Sequence, residues 1–94
     1  MQNMLRRKFL VMSMNKEITV EESMKKSGKL LHLCMEKKIS DTIMRMIISI
    51  KKGEMTQGLE QHYQAILAVT DIIKKATSEE QVMQMLKEKY PQYS

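Results

Sequence analysis

Residues 39 to 53 read ISDTIMRMIISIKKG, and six large apolar residues, Ile43, Met44, Met46, Ile47, Ile48 and Ile50, fall within eight consecutive positions. At 100° per residue they span roughly 200° of a helical wheel, leaving Asp41, Arg45, Ser49 and Lys52 on the remaining strip. A helix this apolar is expected to be mostly buried, so the stretch predicts the central helix of an all-α fold. Its ends carry their own signals. Ser40 can cap the first turn, Lys51 and Lys52 suit the negative end of the helix dipole, and Gly53 can take the left-handed conformation that closes a helix.

On the N-terminal side, Thr19 and Glu22 make a T-x-x-E capping box that opens a helix running to about Lys37. Val20, Met24, Ser27, Leu31 and Cys34 follow a 4-3-4-3 spacing, widened by Leu30 and Met35, while Glu21, Glu22, Lys25, Lys26, Lys29 and Glu36 face away. Val20, Met24, Leu31 and Cys34 form the candidate seam against one neighbour, within the chain or across a dimer, and Ser27 and Gly28 would permit close approach. On the C-terminal side, KKGEMTQG predicts a turn before a helix from about Gln57 to Ala76, with Leu59, Tyr63, Ile66, Val69, Thr70 and Ile73 as its main stripe. Thr77 with Glu80 predicts a second capping box. The last helix carries Val82, Met83, Met85, Leu86 and Tyr90 and is ended by Pro91, leaving a frayed QYS tail. Residues 1 to 16 are open to two readings, an arm or short helix with Leu5, Phe9 and Met12 on one side, or a short strand over KFLVMSM.

No repeat, low-complexity tract or Gly/Ser/Pro linker divides the chain, so residues 1 to 94 are expected to form one helical domain, a single compact bundle of four to five helices. A chain of 94 residues can bury about 60% of its unfolded surface, enough for one modest core. The longest uncharged apolar run falls well short of the roughly 18 residues a membrane-spanning helix needs. FLVMSM is shorter than the about 7 to 15 apolar residues of an export signal, and no small-x-small cleavage site follows it. The single cysteine, Cys34, cannot build an internal disulfide framework and fits a reducing, cytoplasmic setting.

The net charge of +5 is unevenly placed: residues 1 to 52 hold twelve Lys/Arg against five Asp/Glu, and residues 53 to 94 hold four against six. The halves are therefore +7 and −2. Such asymmetry suits an anionic partner or self-association. Arg6, Arg7 and Lys8 are the densest basic cluster and the candidate polyanion contact. Eleven methionines suit either a loosely specified core or an adaptable binding surface.

Catalytic chemistry has little material here. His32 and Cys34 lie two residues apart, about 160° apart on a helix, and cannot hold one ion in that conformation. His62 falls at the edge of an apolar stripe, which suits a hydrogen-bonded boundary histidine, with a catalytic or pH-sensitive group as the alternative. Zinc, calcium and phosphate-loop motifs are missing from the sequence. No catalytic residues, cofactor, metal or small-molecule substrate are therefore expected, and the chain is expected not to be an enzyme.

From Lys8 to Lys52, KFLVMSM, a helix, a turn and ISDTIMRMIISIKK together resemble a ribbon-helix-helix repressor, whose second helix opens on an I-S-x-S-E-I-x-R pattern. The resemblance covers about half of the chain, with Lys38 standing where that family has glycine in its inter-helix turn. It implies an obligate dimer with Lys8 over the major groove and the Ser40 helix start near a phosphate. A helix-turn-helix across KKGEMT would instead offer Thr56, Gln57, Gln61 and Gln64 to bases, on a helix with no Arg or Lys in its first turns. The leading expectation is a small non-enzymatic interaction module, a regulator, adaptor or chaperone, that holds a protein partner or a second copy through its helix faces. A dimeric DNA-binding regulator comes second, and a membrane-surface role for residues 1 to 14 comes last.

Overall fold

The computed structural model describes residues 18 to 93. Residues 1 to 17, which include Arg6, Arg7, Lys8, KFLVMSM and the expected N-terminal arm, lie outside the described residues, as does Ser94. Four α-helices and no strand are present among the described residues: α1 (Val20–Glu36), α2 (Asp41–Met55), α3 (Leu59–Lys75) and α4 (Glu79–Lys89), followed by a 3₁₀ turn at Pro91–Tyr93. The all-α bundle expected from the periodicity is what forms.

Local chemistry sets the helix ends. Thr19 Oγ1 accepts from the Glu22 amide at 3.0 Å and Ser40 Oγ from the Ile43 amide at 3.5 Å, as their capping patterns predict. The last helix starts one residue later than the T-x-x-E pattern suggests. Ser78 is its cap, accepting from the Gln81 amide at 3.1 Å, while Gln81 Oε1 accepts from the Thr77 amide at 2.7 Å. Gln81, in the place of the expected Glu80, thus reaches back to the residue before the cap.

Two helix ends depart from expectation. Gly53 does not close α2, which continues to Met55, and the glycine with positive φ is Gly58 at 125°, just before α3. Gly53 serves a different purpose: the Tyr93 ring lies where its Cβ would be. The tail expected to fray is therefore docked, with Tyr93 Oη donating to Glu54 Oε2 at 2.7 Å. At the end of α1, Lys38 takes the left-handed conformation (φ 55°) usually left to glycine. Its amide donates to Met35 O at 3.2 Å and the Ile39 amide to Cys34 O at 3.0 Å, the paired bonds of a Schellman motif. A tight helix-to-helix turn thus forms without glycine.

The central helix is α3, not α2. It packs against α1, α2 and α4, and it buries His62, Ala65, Ile66, Val69, Ile72 and Ile73. Helix α2 contributes Ile43, Met46, Ile47 and Ile50 to the same core, α1 contributes Leu30 and Cys34, and α4 contributes Val82 and Leu86. Fully burying an aliphatic side chain of this size contributes about 1.5 to 3 kcal/mol, so the core around α3 dominates folding. Helices α1 and α2 lean on α3 more than on each other, which leaves a groove between them.

Candidate interaction surface

That groove is where the expected seam is found, and the structure divides it. Cys34 is core, at 2% exposure, whereas Val20 (61%), Met24 (67%) and Leu31 (52%) are on the surface. The buried line of α1 runs through Ser23, Leu30 and Cys34 instead. With Leu30 placed at 0° on the wheel, Ser23 and Cys34 lie at roughly 20° and 40°, while Val20, Leu31, Met24 and Met35 lie from roughly 80° to 140°. The apolar arc of α1 is therefore wider than α3 covers, and its outer part has no partner among the described residues.

Helix α2 repeats the arrangement. Ile48 is exposed and Met44 half-buried, although the 200° arc would place both inside, and Met55, expected in the turn, is exposed at the end of the helix. Met24, Leu31, Met44 and Ile48 wall a groove of about 400 Å³ whose floor is Leu30, Cys34 and Ile47. A second depression of about 410 Å³ continues from it past Ile48 and Lys51 to Met55 and His62. Gly28 opens onto the first, with nothing near the place where its Cβ would be. Met35, Met44, Ile48 and Met55 extend the surface beyond the four residues of the expected seam. Their signal in the sequence was the excess of methionine on arcs too wide for one neighbour.

A polar cluster lies beside the groove. Ser23 Oγ and His62 Nδ1 share a hydrogen bond of 3.1 Å in the interior, and Lys51 Nζ donates to Ser27 Oγ at 2.5 Å. Burial lowers the His62 pKa, with the Lys51 charge acting in the same direction. Burial also pushes the Cys34 thiol up, against a smaller opposite effect of Lys51. Ser23 is 2% exposed, so a substrate has no approach to its hydroxyl, and the Ser23/His62 pair acts as a satisfied internal contact. His62 is the hydrogen-bonded boundary histidine that its stripe position suggested.

His32 is on the surface, with its Nε2 3.5 Å from Glu36 Oε2, turned away from the buried Cys34. No group of three or more His, Cys, Asp or Glu side chains that could hold a metal ion occurs among the described residues. No helix among the described residues is long and apolar enough to cross a membrane. No protein-family model, curated protein or solved structure matches the chain.

Proposed function

We propose that this protein is a small non-enzymatic interaction module of the cytoplasm, a regulator, adaptor or chaperone that holds a protein partner on the face shared by α1 and α2. The observation that carries this reading is the apolar strip of Val20, Met24, Leu31 and Met35 beside Met44, Ile48 and Met55, which no other described element covers. An exposed cluster of large apolar side chains on a small monomer marks an interaction site more often than a group of scattered residues does. Four of these seven are methionine, whose unbranched thioether adapts to differing partner shapes. The buried thiol of Cys34 is in keeping with a reducing compartment.

Site-specific photocrosslinking tests the reading. A photoreactive residue at Leu31 should give a discrete protein adduct in cells, and one at Gln64, on the exposed side of α3, should not. Equal labelling at both positions, or none at Leu31, would count against it. The ribbon-helix-helix-like alternative draws on the +7 charge of residues 1 to 52. It predicts duplex-DNA binding that weakens steeply with salt, which fluorescence anisotropy reads directly.

A further inference from the structure

Resting on that reading of the α1/α2 face, we infer that its occupant is an amphipathic helix of a partner protein whose apolar stripe is flanked by acidic residues. The shape argument is one of length and width. Along α1 the groove runs from Met24 to Cys34, a rise of about 15 Å, so an apolar i, i+4, i+7 stripe of a partner helix is matched by it. Gly28 gives the incoming backbone room at mid-groove.

The charge argument decides which helix. Lys51 lines both depressions and Lys52 the second, and Arg45 is exposed two helical turns before Lys52 on the same flank of α2. Across the groove, Lys25 is exposed on the outer side of α1. Of the acids of this face, Glu21 and Asp41 sit in the first turns of their helices, where the helix dipole balances them, while Glu36, beside Lys25 on the outer side of α1, lies 3.5 Å from His32. The base-rich border is therefore the α2 flank, where Arg45, Lys51 and Lys52 have no acidic partner among the described residues. A second copy docking symmetrically with α2 on α2 would bring Arg45 and Lys52 of one copy against Lys52 and Arg45 of the other. Residues 1 to 17 carry Arg6, Arg7, Lys8 and Lys16 against Glu17 alone, so the chain's own N-terminal segment meets the same repulsion. An acidic-flanked helix turns each of these charges into an attraction.

The test uses the full chain and two labelled synthetic peptides of about 16 residues that share one leucine stripe, flanked by glutamate in one and by lysine in the other. The glutamate peptide should bind about tenfold or more tightly than the lysine peptide at low salt. The preference should reverse in an Arg45→Glu/Lys52→Glu double variant, whose two positions are exposed, and Leu31→Glu should abolish binding of both. Equal binding of the two peptides, or preference for the lysine peptide, overturns the inference. A dimer in sedimentation equilibrium that Leu31→Glu dissociates would assign the groove to a second copy instead. Displacement of the glutamate peptide by a peptide of residues 1 to 17 would assign it to the chain's own segment. If crosslinking at Leu31 captures a protein while neither peptide binds, the interaction reading stands and the acidic-helix inference falls. If crosslinking and both peptides fail, both fall.

Discussion

Ser23 and His62 are 39 positions apart in the sequence, yet Oγ and Nδ1 meet at 3.1 Å inside the bundle and tie the first turn of α1 to the start of α3. The contact joins a helix whose outer face is open to the helix that carries the core. It also ties fold stability to pH. Burial, with Lys51 adding to it, holds the folded-state pKa of His62 below the usual value of about 6.5. The unfolded chain then binds the proton more readily than the native one, so stability is intact above about pH 6.5 and falls as pH drops from there through the folded pKa. Urea midpoints measured between pH 7.5 and 5 should decline for the wild type. His62→Gln should flatten that decline, and an unchanged slope in the variant would show that other groups cause it.

Leu30 and Leu31 are adjacent but opposed in role. Leu30 is fully buried and Leu31 is half exposed. Leu30→Ala should cost about 2 to 5 kcal/mol by the usual cavity penalty, while Leu31→Ala should stay within about 0.5 kcal/mol. Thermal or chemical denaturation of the pair separates core from docking face, and a large loss at Leu31 would place it in the core.

Cys34 is buried and its thiol is pushed toward the protonated form, so thiol reagents should react slowly with the native protein at neutral pH. The rate should rise to that of a free thiol only in denaturant. Rapid reaction of the native protein, or a disulfide-linked dimer under mild oxidation, would return Cys34 to the exposed seam.

Gly53 and Tyr93 predict a non-additive pair. In α2 alone, Gly53→Ala should stabilise by about 1 kcal/mol through helix propensity. With Tyr93 present, the new methyl group must push the ring aside and disturb its hydrogen bond to Glu54. The expected pattern is a gain from Gly53→Ala in a Tyr93→Ala background and little or no gain in the wild type. Additive changes in the double-mutant cycle would mean that the tail does not rest on α2.

Lys38 holds a left-handed backbone that costs a residue with a Cβ roughly 1 to 2 kcal/mol, while glycine loses about 0.5 to 1 kcal/mol more chain entropy on folding. Lys38→Gly should therefore stabilise by about 0.5 to 1 kcal/mol. A loss of stability in denaturant titration would mean that the Lys38 side chain itself contributes.

Helix identity was a matter of sequence: caps and 3.6-residue periodicity are local, and they placed all four helices to within about three residues of their ends. Even the shifts at Ser78 and Gly53 are small, because a neighbouring residue of similar chemistry supplied the cap or the helix ran on by three residues. The rotation of each helix about its axis was a matter of tertiary structure. The apolar arcs of α1 and α2 are each wider than one neighbour can cover, so spacing alone admits two adjacent stripes as the core. Where α3 came to rest selected Leu30 and Cys34 over Val20, Met24 and Leu31, and Ile47 and Ile50 over Ile48. The remainder became the open face. The same holds for Tyr93 over Gly53 and Ser23 against His62, contacts between residues about forty positions apart that no local pattern encodes. A helix can signal in sequence that it has an apolar face, but which part of that face is covered depends on the direction from which the rest of the chain approaches it.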